Sequence, residues 1–514
     1  MSTKSVAKAA GLIAAATLIS RVLGFLREAL ISGFFGKSYV TDAYRAGFAV
    51  PDLFYNLLVV GALSSAFIPV MSGYIAQKKR QEAWYVASTV MSIMVVLLSF
   101  VTAIAWIFAP RIIALYIPGA PAQTKELATA ITRILLFQPV LLSLSGFSMG
   151  MLNSLKIFGP SAIGSVIYVL CVIVLGTVLK PFIGIKGFAL GVVVGSLGNF
   201  LIQIPALRRA GFHYQFSLNF RHPGVRRIAA LAFPMILSFG LSQIPVVVYQ
   251  NLASSLPSGS LSALMYAYSL QQLPIGIFAY SVGLAMFPTL TEAIALNHWK
   301  QFRDSFSLAL RSIMFITIPI SVGMMILAEP LIHVVYQHGL FTPKDTLATI
   351  PPLVFFAFGI VEQAASVIIP RTFYALHDTW TPVVLSAITL AVNIILMNVL
   401  VRPLAQGGLA LAISLSGIVN MLLLLYCLKR KIGFIDGRRI LVSLLKILAG
   451  STIMGLIVFL VFRLTSWVVG AGFWGALVNL IVGAIVGALV FFLLAVILRM
   501  QELKFVLQVV ARKR

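Results

Sequence analysis

Two arginines stand six residues apart in the apolar stretch Ser20-Arg21-Val22-Leu23-Gly24-Phe25-Leu26-Arg27-Glu28. An arginine at bilayer depth costs from about 2.5–3.5 kcal/mol on insertion scales to about 10 or more in simulations, so it faces a water-filled cavity or a partner. A guanidinium grips phosphate through paired N–H donors, and the chemistry on offer is recognition of an anion. On an ideal helix the two arginines are about 120° apart. They share a face only if the helix bends, and Gly24 between them permits that. Two readings stand side by side for Arg27. It is a basic wall that binds an anion, or it pairs with Asp42 or Glu28 and only holds the structure together.

Few other charges lie at membrane depth. Asp42, Arg45 and Asp52 fall in the first half of the next apolar stretch, and Arg133, Glu292, Arg311, Glu362 and Arg371 are scattered beyond it. Asp42 follows Thr41 at a helix start, where it either caps the helix or holds an arginine. Arg311, one turn into its segment, is expected to snorkel to the surface. Arg133 has no evident partner. Glu362 is a candidate for cation or proton coupling, against the alternative of a buried, hydrogen-bonded glutamate.

These residues need helices that cross a membrane. Of 514 residues, 60% are hydrophobic and 10% charged, a composition far from a soluble domain. Apolar runs of 18 or more residues recur from end to end, each long enough to span as a helix. They are continuous, which excludes a β-barrel. About fourteen spans are expected, near 6–35, 39–76, 84–109, 126–154, 159–180, 186–207, 226–254, 260–294, 305–327, 347–375, 382–401, 407–428, 441–463 and 474–498. The second is long and is expected to bend at Pro51 and Gly61. The net charge of +25 is spread in short clusters between these runs, where topology explains it better than nucleic acid does. Cys171 and Cys427 lie inside apolar runs, and neither a disulfide framework nor a metal spacing follows. The start, with Lys4 and Lys8, runs into Arg21 without a small-residue cleavage site, so it reads as a retained helix.

Basic residues collect on one side: Lys78-Lys79-Arg80, Lys156, Arg208-Arg209, Arg226-Arg227, Lys429-Arg430-Lys431 and the tail Arg512-Lys513-Arg514. That side is expected to be cytoplasmic, with both termini inside. The chain also repeats at a lag of about 220 residues. Gly187-Phe188-Ala189-Leu190 answers Gly408-Leu409-Ala410-Leu411, and Leu207-Arg208-Arg209 answers Leu428-Lys429-Arg430. Six spans per repeat keep one orientation. The expected architecture is all-α integral membrane: two parallel six-helix lobes, 1–220 and 221–436, around a central cavity, then two extra helices and a basic tail in 437–514. No nucleotide-binding glycine loop, metal-ligand set or catalytic triad is legible, so neither an enzyme nor a cofactor is expected.

Several motifs carry a family resemblance. They are Ser20 to Phe25 with Arg27, Thr41-Asp42-Ala43, Gly61-Ala62-Leu63-Ser64-Ser65-Ala66-Phe67-Ile68-Pro69, Tyr336 to Thr342, and Phe373-Tyr374-Ala375 leading to Asp378-Thr379 and Thr381-Pro382. The chain resembles, over essentially its whole length, the MurJ (MviN) family of lipid II flippases in the multidrug/oligosaccharidyl-lipid/polysaccharide exporter superfamily. The resemblance implies that Arg21, Arg27 and Asp42 match functional positions and that the last two helices shape a groove for a polyprenyl tail. It implies a bacterial inner-membrane protein that moves lipid II, with membrane lipids and cell-wall synthesis proteins as partners. Tyr55, Asn56, Tyr268 and Ser269 depart from the family's charged positions, and Ala49 replaces a lysine. Arg45, four residues earlier on the same helix face, is the expected substitute. Another polyprenyl-linked saccharide and a cation-coupled drug exporter are the alternatives within transport. A scaffold for cell-wall enzymes leaves the deep arginines unexplained.

Overall fold

The computed structural model describes residues 3–57, 66–279, 286, 289–290, 292–294, 296–376, 378, 380–470 and 472–503, without the side chains of 3–14, 234, 235, 237–239, 241 and 242. Gly61 to Ser65, Thr379 and the tail Arg512 to Arg514 lie outside the described residues, as do the side chains of Lys4 and Lys8. The described residues hold helices and no strand, as continuous apolar runs require. They fall into two compact units, Met1–Gly259 and Ser260–Arg514.

In the first unit the helices are α1 (Thr3–Phe35), α2 (Tyr39–Gly47), α3 (Ala49–Tyr55), α4 (Ile68–Ala76), α5 (Arg80–Tyr116), α6 (Ala122–Leu135), α7 (Gln138–Ser154), α8 (Gly159–Ile183), α9 (Lys186–Leu201), α10 (Ile204–Arg209) and α11 (Pro223–Ser254). Phe67, Met71, Trp84, Phe147 and Met151 form much of its buried core. Glycine sets the close contact of α8 with α9. A Cβ on Gly191 would press on the backbone of Val172, and one on Gly195 on that of Tyr168. Small residues let α8 and α9 approach backbone to backbone.

The long second segment is broken, and the break has a local cause. Pro51 has no N–H for the carbonyl of Gly47 four residues earlier. The helix interrupts at Phe48, and the hydroxyl of Thr132 on α6 donates to that carbonyl at 3.3 Å.

In the second unit α12 (Ser260–Pro274) runs into a π-turn at Ile275–Ala279, followed by α13 (Trp299–Ile326), α14 (Ala328–Tyr336), α15 (Pro343–Phe358), α16 (Ile360–Ala365), α17 (Ile369–Ala375), α18 (Trp380–Ile432), α19 (Gly437–Val469) and α20 (Phe473–Ile497). The run α18 holds two expected spans, kinked at Ala405, whose φ is 47°. Its halves are tied by Asn393 to Ser416 at 2.6 Å and Thr389 to Asn420 at 3.2 Å. The two extra helices are integral to this unit. Gly455 on α19 sits against Val322 and Ile326 of α13, and Gly483 on α20 sits against Leu327.

Among the described residues, eight helices are long and apolar enough to cross a membrane, or nine if Pro343–Phe358 with Ile360–Ala375 is one bent span. The expected count of fourteen is not reached by this measure. The second segment is divided by Pro51, α18 carries two spans as one run, and α1 and α11 include positions whose side chains are not described. The packing division after Gly259 places α11 with the first unit. The repeat division at 220/221 concerns sequence similarity, which packing does not measure.

Candidate functional site

The charged centre of the first unit is built by the end of α1 and by α2. Gly36, at φ +63°, turns the chain between them. Ser38 then starts α2 with a capping box in which Thr41 Oγ1 accepts from the Ser38 N–H at 3.0 Å. The cap is therefore Ser38, which corrects the expectation for Asp42. The Asp42 carboxylate instead accepts the N–H of Gly259, while Lys37 Nζ donates to Ser258 O at 3.3 Å. Asp42 and Lys37 clasp the start of α2 to the loop that follows α11.

With α2 fixed, Arg45 in its last turn comes back to α1. There Glu28 receives two arginines. Arg27 Nη2 donates to Glu28 Oε1 at 2.7 Å, and Arg45 donates to Glu28 Oε2. The side chains are 25%, 12% and 6% exposed for Arg27, Arg45 and Glu28, so the three charges share a largely dry environment in which pairing is required. Two guanidinium groups and one carboxylate leave a net charge of +1. Donors remain unspent: Arg27 Nε and the hydroxyl of the buried Tyr44 have no hydrogen-bond partner among the described residues. Tyr168, held at the close α8–α9 contact, and Asp52 on α3 lie within electrostatic reach of Arg27. Gln138 on α7 donates to Asp52 at 3.5 Å.

Arg21 is not part of this group. It lies on the exposed side of α1 and has no ion pair among the described residues. Its neighbour Ser20 meets Ser165 of α8 at 3.1 Å. Of the two partners weighed for Arg27, the described ion pairs show Glu28. The role of Glu28 as a bridge to Arg45 escaped sequence reading. The one available signal was an acid and a base of opposite sign on either side of a short Gly36 turn.

Glu362 on α16 is buried, and its carboxylate packs on Gly417 of α18 where a Cβ would otherwise sit. Among the described residues it makes neither an ion pair nor a side-chain hydrogen bond, which corrects the expectation of a hydrogen-bonded glutamate. Arg311 does not snorkel. It is buried and donates to Glu502 Oε1 at 2.7 Å, and Ser443 donates to the same oxygen at 2.9 Å. The pair fastens α13 to α19 and to the segment after α20. Arg133 has a partner after all: its guanidinium stacks on Trp106 at 4.6 Å. At the end of α18, past its apolar run, Lys431 Nζ lies 2.6 Å from Asp378, which also caps α18 through Thr381. The Lys431 ammonium and the Thr381 bonds hold the Asp378 carboxyl well below the usual carboxylate range. No group of three or more metal-ligating side chains occurs among the described residues.

A family profile described as "Lipid II flippase MurJ" matches residues 31–478, so Arg21, Arg27 and Glu28 precede the matched stretch. A "Probable lipid II flippase MurJ" of Buchnera aphidicola is 30% identical over 462 residues, covering 88% of this chain and 90% of the relative. One of Vibrio cholerae is 29% identical over 433 residues, covering 82% of each. The solved structure "Lipid II flippase MurJ, inward closed conformation" is 30% identical, covers 95% of this chain and 99% of its own, and superposes with a TM-score of 0.81. An inward-facing multidrug resistance MATE family transporter, at 15% identity and a TM-score of 0.69 over 80% of this chain and 94% of its own, shares the fold. On the length of the profile match and the relatives' near-complete coverage, this multi-pass membrane chain belongs to the MurJ lipid II flippase family.

Proposed function

We propose that this chain moves lipid II, the undecaprenyl-diphosphate-linked peptidoglycan precursor, from the inner to the outer leaflet of a bacterial inner membrane. The movement is alternating access by two parallel six-helix lobes around a central cavity, with both termini cytoplasmic. The observation that carries the reading is the buried, net-positive group of Arg27, Arg45 and Glu28 with donors still unspent. A diphosphate has two or more negative charges and many acceptor oxygens, and fixed guanidinium groups in a dry site bind such an anion through charge-assisted bonds. Glu28 holds the arginines while the cargo is absent, and the diphosphate takes its place. Arg21, at the open side of the same helix, meets the cargo on its way. Asp42 keeps α2, and with it Arg45, in position. The polyprenyl tail stays in lipid along a groove shaped by α19 and α20.

An inside-negative potential drives both halves of such a cycle. Each charge moved is worth about 2.3 kcal/mol per 100 mV, which favours exit of the anionic cargo and inward return of the cationic site. Glu362 is the residue for any added coupling to protons or cations. Cell-wall synthesis proteins are the partners that would consume the product. The test is lipid II translocation in cells depleted of their own flippase, with this chain as the sole replacement. Restored growth with lipid II exposed outside supports the reading. A well-inserted chain that fails to restore translocation, while exporting cationic drugs, overturns it.

A further inference from the structure

The connection between α10 and α11 is not an ordinary loop. Residues 212–219 have no regular secondary structure, yet their apolar residues alternate: Tyr214, Phe216, Leu218 and Phe220 are separated by Gln215, Ser217 and Asn219. The segment is pinned along the first turns of α5. Gln215 N donates to Ser88 Oγ and Ser217 N to Ser92 Oγ, both at 3.3 Å. The register is geometric. Two residues of extended chain advance about 6.6 Å, and four residues of helix advance about 6 Å, so alternate N–H groups meet hydroxyls one turn apart. Tyr85 adds bonds to Ser217 at 3.2 Å and to Asn219 at 3.3 Å, and Tyr214 Oη meets Ser92 Oγ at 2.8 Å.

Apart from the Tyr214 hydroxyl, tied back to Ser92, this pinning leaves much of the apolar side-chain surface outward. Tyr214, Phe216, Leu218 and Phe220 are 51%, 67%, 40% and 61% exposed. Their depth follows from α5, whose 37 residues extend about 55 Å against a hydrocarbon core of about 30 Å. From Ala83 to Ser92 the face of α5 is mostly covered, and large apolar residues open outward from Val96 onward. Ser92 is thus about 6 Å before the outward-facing apolar stretch of α5. Arg208, Arg209, Arg221, Arg226 and Arg227 flank the segment and are all exposed, and residues 208–227 contain no acid. Among the described residues the one acid paired with this region is Glu82, 4.0 Å from His222 and 3.9 Å from Lys79.

We infer that residues 212–221 are an interfacial strap: the four apolar side chains insert at headgroup depth, and the flanking arginines bind anionic phospholipid headgroups. Aromatic residues favour this layer because their rings are amphipathic, and each basic residue near an anionic surface is worth about 1 kcal/mol. The strap fixes the depth of the connection between α10 and α11. Only the name of the leaflet, the cytoplasmic one, rests on the orientation proposed above.

The test uses the full chain, with Cys171 and Cys427 replaced by serine, reconstituted in vesicles of phosphatidylcholine alone or rich in phosphatidylglycerol. A nitroxide is attached after Phe216→Cys, with Ile481→Cys as a bilayer control and Asn297→Cys as an aqueous one. The label at position 216 is expected to be shielded from a water-soluble nickel complex, and more so in the anionic vesicles. Glutamine at the five arginines should remove that lipid-charge dependence. Nickel access equal to that at position 297 in both vesicles overturns the strap. So does shielding that neither lipid charge nor the arginine replacements change. No cargo is present, so the outcome is separate from that of the transport reading.

Discussion

Replacing Glu28 by glutamine removes the carboxylate shared by Arg27 and Arg45 while keeping its shape. Breaking a buried ion pair by deleting one partner costs about 3–5 kcal/mol. Arg27 is a quarter exposed and glutamine retains one acceptor, so the expected loss lies lower, about 2–3 kcal/mol. The same change raises the net charge of the group from +1 to +2. One added unit of charge about 5 Å from a diphosphate is worth about 3 kcal/mol at an effective dielectric of 20. Screening through the exposed quarter of Arg27 and by salt reduces this to the order of 1.4 kcal/mol, or tenfold in affinity. Purified protein in detergent, followed through its six tryptophans, should therefore unfold at lower temperature. It should also bind a short-tailed polyprenyl diphosphate more tightly, with a gain that shrinks in high salt. Unchanged melting together with unchanged or weaker binding would refute the argument that Glu28 is the anion the cargo displaces.

Further outcomes follow from the same geometry. Arg27→Ala and Arg45→Ala should each abolish complementation at normal protein level, Arg27→Lys should restore part of it because the paired donors are lost, and double-mutant cycles should couple Arg27 with Arg45 but neither with Arg21. Glu502→Ala strands the buried Arg311 and should cost about 3–5 kcal/mol of stability, whereas joint replacement by Arg311→Met and Glu502→Leu should be near neutral; equal melting of the single and double variants would contradict this. Gly417→Ala should destabilise by about 1–3 kcal/mol, since its methyl enters the space of the Glu362 carboxylate, and Glu362→Ala should relieve it. The depressed Asp378 carboxyl predicts a stability contribution that is complete above the ordinary value of 3.8 and is lost as pH falls below it through the folded value. The melting gap between the native chain and Asp378→Asn should be flat at neutral pH and close in acid.

Much was legible without coordinates because the signals are local. A run of twenty apolar residues is helical in lipid whatever surrounds it, since its backbone polar groups have nowhere else to go, and this determined the all-helical membrane class. Pro51 announced a broken second segment, because a missing N–H acts on its own helix. The motifs around Arg21, Arg27 and Asp42 suggested the family resemblance, and the profile match over residues 31–478 shows the family without the two arginines. Pairing of charges was decided by the tertiary structure. Among the described ion pairs Arg27 meets its neighbour Glu28, and the Gly36 turn lays α2 back on α1 and so delivers Arg45 to the same carboxylate. Arg311 finds Glu502 across 191 residues of chain, a distance over which no periodicity operates. Among the described residues Glu362 has no side-chain hydrogen bond and packs on Gly417, and the polar residues between Tyr214 and Phe220 turn out to follow the hydroxyls of α5. Sequence patterns specify which residues must leave water or stay in it; which charge neutralises which depends on where the packed helices bring them together.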